Sequence, residues 1–208
     1  PELSTLLNEE RYIGPADRAE NYGIDQWRDA YMPRQLLAHS EFLAAFDEVK
    51  EEIRNEYDPK EAEALLTLLA IVADKTIDYN SRFSSWDSST PKVRNGFDRH
   101  DFSFKWSFAE TVLVDDTHGY LWFLEDVKEV YEELYEYLSD VDPEVPLEIL
   151  NDDAASLSLQ DESVEAVVMD PPYYDNVMYA ELADFFYVWM KKYLGDVFPQ
   201  LFTAELTN

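Results

Sequence analysis

Four consecutive residues near the carboxyl end of the chain have the types needed to activate an amino group. Asp170, Pro171, Pro172 and Tyr173 directly follow the apolar run 164–169. A carboxylate and a backbone carbonyl that each accept one N–H bring the nitrogen of a planar amino group closer to tetrahedral geometry, and this frees its lone pair for attack. Asp170 supplies the carboxylate, Pro171 supplies the carbonyl, and Tyr173 offers a flat face on which an extruded base can stack. The pattern predicts chemistry on an exocyclic amino group such as that of adenine.

The elements around these four residues have an alternating α/β pattern. The run 164–169 is rich in β-branched residues and predicts a buried parallel strand, and the run 147–150 predicts a second short strand. A helix is expected from about Tyr179 to Leu194, closed by Gly195. Ligands in open α/β sheets bind beyond the carboxyl ends of the strands, where residues 170–173 follow. The alternative interpretation is an ordinary loop after a strand.

The first two thirds of the chain has a different, mainly helical pattern. Apolar residues at helical spacing follow Pro33 to about Arg54, and another such run marks residues 120–138. Between them, Asp58-Pro59-Lys60-Glu61 is a capping pattern that opens an apolar helix ending near Tyr79. We therefore expect a helical region at 1–139, a Pro-rich linker at 140–146 and an α/β region at 147–208. In the last helix, aromatic residues at helical spacing predict core packing; these are Phe185, Phe186 and Trp189.

Residues 82–105 combine basic and aromatic side chains in a chain that is otherwise strongly acidic. The basic residues are Arg82, Lys92, Arg94, Arg99 and Lys105. Aromatic rings interleaved with cations are typical of a loop that contacts phosphates or bases. Asn80 and Trp86 are candidates for a base pocket, and Lys92, Arg94 and Arg99 are candidates for substrate contacts. The alternative is a packing loop whose cations pair with neighbouring acids.

The overall charge indicates the surroundings of the protein more than its partner. The chain has 208 residues and a formal net charge of −29, from 45 acidic and 16 basic residues. Dense carboxylates suit a surface adapted to molar salt, where the Debye length falls to about 3 Å. We interpret the charge as halophilic adaptation, which does not exclude DNA as a partner. No apolar run is long enough to span a bilayer, and the absence of cysteine with only three histidines argues against a metal site.

Beyond the four central residues, longer stretches of the chain resemble a known family. Asp170-Pro-Pro-Tyr173 resembles the catalytic motif of S-adenosylmethionine-dependent amino-methyltransferases. The chain is similar to adenine-specific DNA methylases that carry a zinc ribbon within a much larger polypeptide. The segments that carry the similarity are Asp25–Asp29, Met32–Leu37, Asp78–Arg82 with Trp86-Asp87, Lys92–Phe97, Trp106–Glu110, Asp170–Asp175 and Tyr179–Tyr187.

The resemblance implies a fold, a reaction and a set of site residues. It implies a Rossmann-like methyltransferase sheet, with 1–139 as a possible DNA-recognition insert. The implied reaction transfers a methyl group from S-adenosylmethionine to adenine N6 in duplex DNA with the adenine extruded, in the cytoplasm. Asp153, and after it Asp152, are similar to the acidic turn that binds the cofactor's adenine; the alternative is a solvated loop in an acid-rich protein. Tyr174 is expected to extend the rim of the substrate pocket.

Two family features are missing from this sequence. The zinc ribbon is absent because the chain has no cysteine, and its five glycines never fall within two residues of each other. The glycine-rich cofactor loop is therefore absent too, and we expect it upstream, in the remainder of the same polypeptide. The chain is thus expected to be a fragment that is inactive alone. Alternatives are methylation of RNA or of a protein amide, and a non-catalytic nucleic-acid recognition module.

Overall fold

The computed structural model describes residues 6–8, 19–98, 102, 104–115, 117–142, 150, 153–171 and 177–205. About half of these residues are helical, and two short strands form a small antiparallel sheet. The elements are α1 (Pro33–Glu56), α2 (Pro59–Tyr79), β1 (Ser85–Asp87), β2 (Lys92–Arg94), α3 (Tyr120–Leu138) and α4 (Tyr179–Leu194). The prediction of a mixed fold with a mainly helical first part is confirmed for these residues.

The helix boundaries agree with the signals in the sequence. Pro33 occupies the first turn of α1, and the side-chain oxygen of Gln35 accepts a hydrogen bond from the backbone N–H of Met32 at 2.8 Å. Asp58 caps α2, because its carboxylate accepts from the N–H groups of Lys60 and Glu61. These local contacts explain why both helices begin where the sequence predicts.

The core lies where α1, α2 and α4 meet. On α4, Phe185, Trp189 and Tyr193 are completely buried, and Phe186 is partly buried, so the predicted packing of these aromatics is confirmed. The indole N–H of Trp189 donates to the hydroxyl of Tyr31 at 2.9 Å. The segment before α1 forms two 3-10 turns, Ala19–Tyr22 and Trp27–Ala30, that bring further apolar side chains into this core.

Helix α3 packs on α2 and leaves much of its apolar surface uncovered. The ring of Phe123, near the start of α3, lies 5.1 Å from the ring of Tyr79 at the end of α2. At the other end, Glu61 and Tyr131 line one cavity of about 440 Å³, so the two helices are antiparallel. Along the second half of α3, Leu134 remains 52% exposed and Tyr137 80% exposed.

The strand predicted at 164–169 is wrong for this structure. The segment has no ladder partner, and its side chains are exposed, Val168 to 96%. A strand leaves its N–H and C=O groups unpaired unless another strand lies beside it, and the described residues supply none here. Most of the strand predicted at 147–150 lies outside the described residues. None of the described helices is long and apolar enough to cross a lipid bilayer.

Candidate functional site

The small sheet forms a hairpin that carries three of the predicted substrate contacts. Strands β1 and β2 pair antiparallel, with Trp86 opposite Val93 and Asp87 opposite Lys92. Trp86, Lys92 and Arg94 therefore lie within one hairpin, as their closeness in sequence suggests. Trp86 is 58% exposed and Lys92 is also exposed. No hydrogen bond or ion pair holds the ammonium group of Lys92 within the part of the chain that the structure describes.

Asp87 holds the hairpin loop together. One carboxylate oxygen accepts from the backbone N–H and the hydroxyl of Ser89, at 2.9 and 2.6 Å. The other accepts from the hydroxyl of Thr90 at 2.8 Å and from the guanidinium of Arg94 at 2.8 Å. These hydrogen bonds, those from Ser89 and Thr90 first, hold the pKa of Asp87 far below its usual range. Asp87 thus remains ionised and keeps the loop in one conformation.

Arg94 has a structural role in this arrangement. Besides its two contacts with Asp87, its guanidinium lies 3.5 Å from the carboxylate of Asp98. The predicted alternative, cations that pair with neighbouring acids, therefore holds for Arg94. A guanidinium with two carboxylate neighbours presents little net charge to a phosphate, so Lys92 is the better candidate for such a contact.

The hairpin is anchored to the end of α2 by Asp78. Its carboxylate accepts from the backbone N–H of Gly96 at 2.8 Å and from the side-chain amide of Asn95 at 3.3 Å. Burial raises the pKa of Asp78, and the contact with Gly96 opposes that rise. A Cβ at position 96 would lie only 3.1 Å from the Cβ of Phe83, so glycine permits this close approach. The anchor fixes the hairpin relative to the helical core.

A polar cavity of about 590 Å³ opens between the hairpin and the turn that precedes α3. It is lined by Tyr79, Asp87, Ser89, Thr90, Lys92, Val93, Arg94, Asn95, Asp98 and His118. The ring of His118 stacks on the ring of Tyr79, at 5.7 Å, and lies tilted against the ring of Trp122, at 4.1 Å. Partial burial and then nearby Lys92 lower its pKa, so the ring is mostly neutral at pH 7. The cavity therefore offers hydroxyls, one exposed ammonium group and a neutral imidazole.

Asn80 does not line this cavity. It is 2% exposed, and its side-chain oxygen lies 3.3 Å from the backbone N–H of Thr111 and 3.4 Å from the amide nitrogen of Gln35, both of which donate to it. Its backbone carbonyl accepts from the imidazole of His39 at 3.1 Å. In this conformation the amide of Asn80 is engaged inside the protein and is not open to a base.

The described part of the central motif is exposed. Asp170 and Pro171 lie at the end of the extended segment 164–169, and no described side chain binds the carboxylate of Asp170. Helix α4 begins nine residues later, and the ring of its residue Phe185 lies 4.9 Å from the ring of Phe97, just beyond β2. Helix α4 thus packs against the residue that follows the hairpin. Five of the predicted site residues lie outside the described residues: Pro172, Tyr173, Tyr174, Arg99 and Asp152.

Asp153 lies in an exposed turn. Its side-chain oxygen accepts from the N–H of Ala155 at 2.9 Å, and its carbonyl accepts from the N–H of Ser156 at 2.8 Å. Asp152 lies outside the described residues. Neither Asp153 nor Asp170 lines either of the two cavities described above. These two cavities therefore give no site for S-adenosylmethionine at Asp153.

No family model, curated protein or solved structure matches the chain. The family resemblance therefore stays a prediction from the motifs. Within the described residues, no cluster of three or more His, Asp or Glu side chains is arranged to hold a metal ion.

Sequence reasoning missed His118 as a cavity residue. It lies 24 residues beyond the hairpin in sequence, and its φ of 65° places it in the left-handed region just before Gly119. The segment Asp115–Gly119 carries a turn composition, and this was the only available signal. Ser89 and Thr90 were missed because only the fold shows that they bind Asp87.

Proposed function

We propose that this chain supplies the catalytic motif and a DNA-facing hairpin of an S-adenosylmethionine-dependent methylase that acts on adenine N6 in DNA. The observation that carries the proposal is the motif Asp170-Pro171-Pro172-Tyr173 ahead of helix α4. The carboxylate of Asp170 is exposed, and no described group competes for it. A carboxylate that is to receive a substrate N–H has to be accessible in this way.

Each of the motif residues has a separate task in the proposed reaction. The carboxylate of Asp170 and the carbonyl of Pro171 each accept one N–H of the adenine amino group, which makes the nitrogen lone pair available. The proline pair stiffens the turn before the base arrives. Tyr173 stacks on the extruded base, with Tyr174 at the rim. The excess proton leaves the amino group after transfer, so Asp170 acts as an acceptor more than as a strong base.

Cofactor binding and a Rossmann-like sheet would both require residues beyond those that the structure describes. We propose that 164–169 becomes a strand of a Rossmann-like sheet when other strands lie beside it, with Asp153 and Asp152 close to the cofactor's adenine. A glycine-rich loop elsewhere in the polypeptide would hold the methionine part. Exposed β-branched side chains that lack a partner support this proposal. The chain alone should then bind S-adenosylmethionine more weakly than about 1 mM.

The hairpin is the proposed contact with the DNA backbone. The exposed ammonium of Lys92 suits a phosphate, and the exposed indole of Trp86 suits a sugar or base. Arg94 keeps the hairpin in shape through Asp87, and Arg99 follows closely in sequence. A phosphate contact of this kind carries no sequence information, so the hairpin would position DNA without selecting a site.

The product identifies the reaction most directly. A polypeptide that contains this chain together with a glycine-rich cofactor loop is incubated with labelled S-adenosylmethionine and duplex DNA, RNA or a peptide amide, and the products are hydrolysed and separated. N6-methyladenine from DNA is the expected product. Label in RNA or in an amide would contradict DNA as the substrate. Label in N4-methylcytosine would contradict adenine as the methylated base.

A second candidate function is a non-catalytic nucleic-acid recognition module. The lack of a strand at 164–169 and the exposed Trp86 and Lys92 favour it. The same polypeptide would then bind DNA but would incorporate no label from S-adenosylmethionine into any of the three substrates.

A further inference from the structure

Apolar residues on helix α3 recur at alternating intervals of four and three residues. The series consists of Tyr120, Leu124, Val127, Tyr131, Leu134 and Leu138. This spacing places all six residues along one side of the helix, and it is the spacing at which helices pair along a seam. We call these six residues the α3 seam.

The first half of the α3 seam is covered within the protein itself. The ring of Tyr120 stacks on the ring of Phe42 in α1, with centroids 3.5 Å apart. Leu124 and Val127 are half-buried and line the cavity between α3 and α2. The seam is therefore already used for helix packing over its first two turns.

The second half of the α3 seam is open to solvent, together with the apolar residues that flank it. Six side chains on this half of the helix are between 52% and 80% exposed: Val130, Tyr131, Leu134, Tyr135, Tyr137 and Leu138. We call these six residues the open face. A fully exposed aromatic side chain offers roughly 150–250 Å², so the open face amounts to on the order of 700 Å². This area is close to the about 800 Å² that each partner buries in a standard protein interface.

The glutamates of α3 lie on the opposite side of the helix from the seam. They are Glu125, Glu129, Glu132, Glu133 and Glu136, and all of them are exposed. The open face itself contains no charged side chain. These carboxylates therefore stay in water when the open face is covered, and repulsion between two chains of net charge −29 acts over distances at which salt screens it.

We propose that the open face binds the open face of a second copy of this chain, with the two α3 helices antiparallel and Leu134 opposite Leu138 of the second copy. An uncharged apolar face on one side of a helix is self-complementary, as a two-fold interface requires. The antiparallel direction follows from the covered half of the seam. Parallel helices would bring the two α2 helices to the same end of the pair, whereas antiparallel helices place them at opposite ends.

The surface beside the open face offers a recess for the second copy. A cavity of about 620 Å³ is lined by Ile71 of α2 and by Val130 and Leu134 of α3, among others. Paired helices pack by inserting a side chain of one into a recess on the other. An aromatic ring of the second copy, from Tyr135 or Tyr137, fits such a recess, and its hydroxyl can remain in water at the edge.

Salt should strengthen this association. The burial of apolar side chains is not screened, whereas the repulsion between two polyanions is screened over about 3 Å in molar salt and over about 10 Å in 0.1 M salt. Interfaces of standard size have affinities from micromolar to picomolar. We expect a Kd of about 10 µM or tighter in 2 M KCl and a Kd at least about tenfold weaker in 0.1 M KCl.

Sedimentation equilibrium of the 208-residue chain, from about 1 to 200 µM in each salt, measures this Kd. Leu134→Lys combined with Leu138→Lys should weaken the dimer at least about a hundredfold in 2 M KCl, because a two-fold interface loses each leucine twice. Glu129→Gln combined with Glu136→Gln is the matched control. It changes the net charge by the same two units on the opposite side of α3, and it should associate at least as tightly as the wild type. Circular dichroism verifies that both double variants are folded.

The charge match makes the comparison decisive, since a less negative chain would associate more tightly if charge alone controlled the dimer. Three results would overturn the proposal. The first is a wild-type chain that stays monomeric at about 200 µM in both salts, which would assign the open face to a helix of another protein or of another part of the polypeptide. The second is a dimer that the two lysines leave intact, and the third is an equal loss in both double variants. No methyl transfer is measured, so the outcome is independent of the proposed function.

Discussion

The imidazole of His39 donates to the backbone carbonyl of Asn80 at 3.1 Å, and this contact joins the first half of α1 to the end of α2. A carbonyl only accepts, so Nε2 of His39 carries the proton. The other ring nitrogen, Nδ1, is then free to accept from the hydroxyl of Tyr120, 3.2 Å away. Both nitrogens of the neutral His39 imidazole then have a hydrogen-bond partner. Asn80, which was expected to face a base, is instead held in the core by this contact.

This contact predicts how stability depends on pH. Burial lowers the pKa of His39 to about 4. Between pH 6.5 and 4 the unfolded chain binds a proton at this residue while the folded chain does not, so stability falls by about 3 kcal/mol as the pH falls through that window. Above pH 6.5 the contribution is constant. His39→Gln should be less stable at pH 7, and its deficit should shrink as the pH approaches 4.

Chemical denaturation of both proteins at several pH values measures this difference. Asp74 and Asp78, whose pKa values are raised by burial, shift stability in the opposite direction, but they are present in both proteins and cancel. His118→Gln is the control, because His118 is only partly buried and should show a smaller change. A deficit that is the same at pH 7 and pH 4 would mean that folding does not lower the pKa of His39.

The second prediction concerns the hairpin. Asp87→Asn replaces a carboxylate oxygen that accepts from Thr90 and Arg94 by an amide nitrogen that only donates. Hydrogen exchange of the amides in 85–94 should become faster, with little change in the helices. Because the pKa of Asp87 is depressed, the wild-type hairpin should keep its protection as the pH falls to about 4 and lose it only at lower pH.

Asp98→Asn serves as the control for the hairpin, since the ion pair that Asp98 makes with the described residues is the longer 3.5 Å contact with Arg94. Equal exchange rates in Asp87→Asn and Asp98→Asn would show that the carboxylate of Asp87 does not hold the loop.

The third prediction concerns salt. With a net charge of −29, repulsion between carboxylates should lower the melting temperature in dilute buffer, and molar KCl should raise it by screening. A variant with Glu129, Glu133 and Glu136 changed to Lys, all exposed on α3, should depend less on salt. Calorimetric melts in 0.1 and 2 M KCl compare the two proteins. A wild-type melting temperature that is the same at both KCl concentrations would contradict the halophilic interpretation.

The helices were predictable because their signals are local. A cap at Asp58, prolines in the first turns and apolar residues at helical spacing each act within a few residues. The absence of a strand at 164–169 was not predictable in this way, because β-branched composition indicates a preference that only a neighbouring strand can satisfy. Residues 164–169 have the strand preference, but the described residues place no strand beside them.

The candidate site was predictable only in part, for a similar reason. Trp86, Lys92 and Arg94 are close in sequence, so their shared hairpin needed no long-range information. The burial of Asn80 depends on Gln35 and Thr111, which are 45 and 31 residues away in sequence. The position of His118 in the cavity depends on the turn before α3. Composition alone does not specify such distant contacts.

The separation of turnover from cofactor affinity in Asp170→Ala tests the central claim most directly. Methyl incorporation into DNA and S-adenosylmethionine affinity are measured on the same polypeptide, which contains this chain and a glycine-rich cofactor loop. If Asp170 accepts the adenine amino group only in the transition state, incorporation should be abolished while cofactor affinity stays within a few fold of the wild type. Unchanged incorporation would contradict the account, and an equal loss of both would place Asp170 in the cofactor site instead.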